Sequence, residues 1–99
     1  MIEIQALHKL PTFYPSQWEG RTPEGDVIHI RYRHGDLMVW IEDQTGQQRT
    51  VYTEDTGERD GFDMETETMK SRLASVCRFL DGGEDNRGLT EPDPSMSNE

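Results

Sequence analysis

Residues 26–43 constrain this chain more than any other stretch. They read Asp-Val-Ile-His-Ile-Arg-Tyr-Arg, then His34-Gly35, then Asp-Leu-Met-Val-Trp-Ile-Glu-Asp. Two runs rich in β-branched and aromatic residues flank a two-residue turn, the pattern of a tight antiparallel hairpin. Gly35 supplies a positive φ freely, and His34 must tolerate one, as Asn does more often. With a two-residue turn Arg33 faces Asp36, and the register follows by counting outward. Tyr32 then faces Leu37, Ile30 faces Val39 and Ile28 faces Ile41, so one face is wholly apolar or aromatic. The other face pairs Arg31 with Met38, His29 with Trp40 and Val27 with Glu42. A slip of one residue would exchange the faces, so turn chemistry and pattern require the same register.

The same logic extends the sheet in both directions. Thr22-Pro-Glu-Gly-Asp26 suits a three-residue loop, with Pro23 fixing the first turn position and Gly25 taking the left-handed one. Counting back places Trp18 against Ile30 and Gly20 against Ile28 on the apolar face, with Glu19 beside His29 and Gln17 beside Arg31 on the other. Trp18 is then the large aromatic of the core. Gln44-Thr45-Gly46 repeats the device, which puts Val51 beside Val39, Thr50 near Trp40 and Tyr52 near Met38. Strands are expected over 16–22, 26–33, 36–43 and 47–54. Residues 1–7 alternate loosely, with Ile2, Ile4 and Ala6 on one side and Glu3 and Gln5 on the other, and add a further strand at an edge. Two prolines and Phe13-Tyr14 make 8–15 an irregular, partly packed connection.

Beyond the sheet, residues 54–61 hold five charges and two glycines and read as a solvated loop. Asp63 stands where it can cap a helix, and Glu65 and Glu67 suit the positive end of the helix dipole. Met69, Leu73, Val76, Cys77 and Leu80 recur at the helical period, which predicts a helix over 64–80 stopped by Asp81-Gly82-Gly83. Residues 84–99 carry two prolines, five acids and one aliphatic residue, Leu89, and predict a disordered acidic tail. The expected fold is α+β: an antiparallel meander of four to five strands with one C-terminal helix on one face, in a single domain over 1–83.

Composition narrows the function. A net charge of −10 from 20 acids and 10 bases disfavours free nucleic acid as the partner, since phosphate binding needs a basic patch. It suits a solvated acidic protein, a basic or nucleic-acid-binding protein partner, or imitation of a polyanion. The single cysteine forms no internal disulfide, no stretch approaches membrane-spanning length, and the start of the chain lacks a secretory pattern, so a cytoplasmic location is expected. His8, His29, His34 and Cys77 show no metal-ligand spacing. The glycines fall in turns and caps rather than in a strand-to-helix phosphate loop. His29 beside Glu19 has the look of an oriented base, yet no nucleophile or metal accompanies it, so neither an enzyme nor a cofactor is expected.

One helix covers one face of a sheet. The other face, carrying Gln17, Glu19, His29, Arg31, Met38, Trp40, Thr50 and Tyr52, has the composition of an interface centre rather than of a solvent face. Either it meets a protein partner, or the N-terminal strand or Phe13-Tyr14 folds over it as a second small core. The acids are segregated, 13 of the 20 lying in 54–67 and from 81 onward. Glu54, Asp55, Glu58 and Asp60 are therefore candidates for steering a basic partner, alongside the contact residues Trp40, Tyr52, Met38, His29, Arg31 and Glu19.

The run Pro-Ser-Gln-Trp-Glu-Gly at 15–20, followed by Arg-Tyr-Arg-His-Gly at 31–35, resembles a family of small proteins from bacteria and their phages. These share a Pro-Ser-Gln-Trp-Glu-Gly … Arg-Tyr-Arg-x-Gly pattern; a bulky aromatic often precedes the last glycine, where this chain has His34. The likeness covers about residues 11–41 and carries no activity or site residue with it. It implies an origin in a phage or other mobile element, whose small acidic proteins often bind and block a host protein. The expected function is thus a non-enzymatic protein-binding module, an inhibitor of a nucleic-acid-handling or defence complex in a bacterial host. The alternative is an assembly module, a homodimer formed through a sheet edge or the aromatic face.

Overall fold

Three short turns dictate the architecture of the chain, whose computed structural model describes residues 1–11 and 15–80. Strand β1 (Ile2–Lys9) is followed by β2 (Ser16–Arg21), β3 (Val27–Arg33), β4 (Asp36–Glu42) and β5 (Gln48–Asp55), then helix α1 (Thr66–Arg72) and strand β6 (Cys77–Phe79). They form one sheet in the order β5-β4-β3-β2-β1-β6, antiparallel from β5 to β1, with β6 parallel to β1. The fold is α+β with a meander-like sheet.

The hairpin register is as its turn requires. His34 and Gly35 both take positive φ, 53° and 78°, and Arg33 pairs with Asp36, Ile30 with Val39 and Ile28 with Ile41. Both three-residue loops close as expected: Gly25 N donates to Thr22 O and Thr22 N to Asp26 O, while Gly46 N donates to Asp43 O and Asp43 N to Gln47 O. Trp18 pairs with Ile30 and is buried in the core with Ile4, Ile28, Tyr32, Leu37, Val39, Met69, Leu73 and Cys77.

The C-terminal part departs from the expected helix over 64–80. The helix spans seven residues and begins after Glu65, which makes no side-chain cap bond. Asp63 instead accepts a hydrogen bond from Ser16 Oγ at 2.9 Å. Leu73 O accepts from both Val76 N and Cys77 N, closing the last turn, and the chain then straightens into β6. Without β6, β1 would offer an unpaired backbone edge beside the core. Ile2 N donates to Val76 O and Leu80 N to Ile4 O, so the added strand satisfies that edge. The sheet therefore has six strands rather than four or five. The predicted stop at Asp81-Gly82-Gly83, the acidic tail and the packing of Phe13-Tyr14 lie outside the described residues.

Two further corrections concern alternation. In β1 the register with β2 shifts between Gln5 and His8, and Ala6 takes φ 56°. Ala6 is consequently exposed and Leu7, rather than Ala6, turns against the core. The loop after β5 is also more than a solvated connection. Thr56 N donates to Gly35 O, Gly35 N to Gly61 O and Ser16 N to Phe62 O, so the loop straps the hairpin end to the start of β2. Gly61 is required there, since a Cβ would collide with Tyr32 Oη.

Candidate functional site

On the side of the sheet away from the helix, the meander register brings large amphipathic side chains into one cluster. Trp40 on β4 lies directly opposite His29 on β3, and their rings stack with centroids 5.1 Å apart and planes 14° from parallel. Arg31, one pair along and opposite Met38, holds its guanidinium carbon 5.4 Å from the Trp40 ring centroid, a cation–π contact. Trp40, His29, Arg31 and Met38 are all half-buried.

A ladder of alternating imidazoles and carboxylates crosses the same face. His29 Nε2 lies 3.2 Å from Glu42 Oε1 and its Nδ1 3.9 Å from Glu19 Oε2. Glu19 Oε1 is in turn 3.7 Å from His8 Nε2, and Gln48 Nε2 donates to Glu42 Oε1 at 3.3 Å. The Glu42 contact, within hydrogen-bond distance, holds one edge of the His29 ring, whose face lies against Trp40. At the β5 border Arg31, Met38, Trp40, Gln48, Arg49 and Thr50 line a shallow groove of about 300 Å³. Among the described residues neither Arg31 nor Arg49 has an ion-pair partner. The cluster offers a flat aromatic surface with a polar rim, suited to contact with another surface. Among the described residues, no three of His, Cys, Asp or Glu are placed to share a metal ion.

Five of the ten residues singled out from the sequence meet here: Glu19, His29, Arg31, Met38 and Trp40. Tyr52 does not. The register of β4 with β5 runs as counted up to Trp40 opposite Thr50, then shifts, and Val39 faces Tyr52 while Thr53 takes the place beside Met38. Val51 is the extra residue of a β-bulge, and the bulge turns two consecutive apolar residues, Val51 and Tyr52, against the core. Tyr52 Oη donates to Glu54 Oε1 at 3.1 Å, which holds its hydroxyl proton and raises its pKa above the usual phenolic value. The other Glu54 oxygen is paired with Arg72 of the helix, so Glu54 too belongs to the helix side.

The remaining acids are divided. Asp55 lies opposite Asp36 at the end of β5 and accepts from Gly57 N at 2.8 Å. Glu58 accepts from Tyr32 Oη at 3.2 Å, and Asp60 is exposed in the strap. His8, Glu42 and Gln48 belong to the site although the sequence pattern does not single them out; Arg49, opposite the core residue Ile41, borders the groove from the helix side of β5. Glu42 was within reach, being two residues from Trp40 on the same face; His8 was hidden by the shift in β1. No helix among the described residues is long and apolar enough to cross a membrane. No protein-family model, no curated protein and no solved structure matches the chain.

Proposed function

We propose that this chain is a non-enzymatic protein-binding module whose contact surface is the β3–β4 face centred on Trp40. The supporting observation is the stack of Trp40 on His29, flanked by Arg31 and Met38, on the side of the sheet that the helix leaves uncovered. Trp, Met and Arg are enriched at the centres of interfaces, and Trp and Arg there carry much of the binding energy. Exposed acids in and beside the strap, among them Asp55, Glu58, Asp60 and Glu65, steer a basic or nucleic-acid-binding partner toward the protein. The more specific form of this reading is an inhibitor of a host nucleic-acid-handling or defence complex, encoded by a phage or mobile element. It draws on the segregated acids and on the resemblance carried by residues 15–20 and 31–35.

Trp40→Ala tests the reading. Captured partners should bind the variant about 2 kcal/mol or more weakly, while its denaturation midpoint stays close to that of the parent. With Trp18→Phe in place, Trp40 is the sole fluorophore of its kind, and acrylamide should quench it readily. A blue-shifted, protected emission together with unfolding of Trp40→Ala would instead identify a second core.

A further inference from the structure

The free edge of the sheet at β5 is an address for one particular strand. β5 is an outermost strand, eight residues long, with Gln48, Arg49, Thr50, Thr53 and Asp55 exposed; the opposite outer strand, β6, has three residues. Which of its backbone groups point outward follows from the register. The two-residue turn makes Arg33 and Asp36 a hydrogen-bonded pair, so alternation directs Leu37, Val39, Ile41 and Asp43 toward β5. The Asp43 N to Gln47 O bond agrees with this. Their partners Glu54, Tyr52 and Arg49 therefore turn their amides and carbonyls inward, leaving those of Gln48, Thr50, Thr53 and Asp55 outward.

The bulge at Val51 makes this edge selective. Outward residues normally recur at every second position, but Thr50 and Thr53 are three apart. A regular strand matches only half of such an edge, and this is how bulges guard sheet borders against indiscriminate pairing. A strand with the same bulge matches all of it. Run antiparallel about a two-fold axis, a second copy sets its Thr53 opposite Thr50 and its Asp55 opposite Gln48, with the two bulges meeting at the axis. Direction, sheet face and spacing all agree in this register. Charge agrees too: Arg49, which has no ion-pair partner among the described residues, falls opposite Glu54 of the second copy, twice by symmetry.

We propose that β5 pairs antiparallel with β5 of a second copy in this register, joining two six-stranded sheets into one. The inference stands independently of the role given to Trp40, but it has a consequence for it. The axis is perpendicular to the sheet, so both Trp40 faces lie on the same side, their β4 strands three strand spacings, about 14 Å, apart.

Sedimentation velocity of the full chain between about 1 μM and about 1 mM is the measurement, because mass action shows a weak dimer only near its dissociation constant. A rise from 11.5 kDa to twice that mass is expected. Thr53→Pro removes an outward N–H that the fold does not use, and should weaken the dimer about 10-fold or more. Arg49→Glu, on an exposed side chain, sets like charges together and should do the same; it carries the test if circular dichroism shows that the proline variant fails to fold. Trp40→Ala should leave the dimer intact. A chain that stays at 11.5 kDa throughout overturns the proposal. So does a dimer that survives Arg49→Glu and a folded Thr53→Pro, or one that Trp40→Ala abolishes.

Discussion

At the scale of single residues, the cysteine shows how burial turns into a measurable property. Cys77 is 2% exposed, and its removal from water pushes the thiol up to about 11. The folded chain thus holds this proton more tightly than the unfolded chain, whose thiol titrates near 9.0. The resulting stability is complete below the lower value and drains away as pH rises toward the higher one. The denaturation midpoint of the parent should therefore fall between these values more steeply than that of Cys77→Ala, in which the linkage is absent. Single residues also mark what a sequence can and cannot disclose. The positive φ of His34 was legible because Gly35 and the flanking pattern left one turn type. That of Ala6 was not, because nothing in Ile-Gln-Ala-Leu-His distinguishes a continuous strand from one with a shift.

Among elements, legibility follows the length of the connection. Loops of two and three residues transmit register without slack, so the pairs from Gln17–Arg31 through Trp40–Thr50 could be counted from the turns. The count failed at Val51-Tyr52, where two adjacent apolar residues satisfy either a regular strand or a bulge. It failed again after Leu73. Met69, Leu73 and Cys77 are spaced for a helix stripe, yet all three also reach the core when the helix stops and a strand begins. The decisive influence was the open edge of β1, a neighbour some seventy residues distant in sequence and invisible to any local period. Met69 and Leu73 nonetheless seal the apolar side of the sheet as expected. Leu73→Ala and Ile30→Ala should each destabilise by about 2–5 kcal/mol in denaturant melts, since each side chain is buried and its loss leaves a cavity. A neutral result at Ile30 would contradict the face assignment.

For the molecule as a whole, the balance of charge matters less than its placement. The aromatic face carries Arg31 and a ladder in which His8 and His29 alternate with Glu19 and Glu42, while the exposed acids of the strap and helix start belong to other elements. If they steer the partner, reversing Asp60 and Glu65 to lysine should slow association severalfold and flatten its dependence on salt, with a much smaller effect on dissociation. Stopped-flow binding at two ionic strengths distinguishes this from a contact role. The aromatic cluster was legible as a composition; its ladder of His8, Glu19, His29 and Glu42 emerged only once β1 was laid beside β2. The parallel seam between β1 and β6 has a consequence for how the protein is born. Ribosomes deliver β1 first and β6 last, and the β2–β5 meander between them is built from neighbours that find each other locally. During translation the first strand can join that meander through β2, but its other border stays open until Cys77–Phe79 emerges. Completion of the sheet is thus deferred until β6 is made, which leaves the nascent chain most adhesive just before that point.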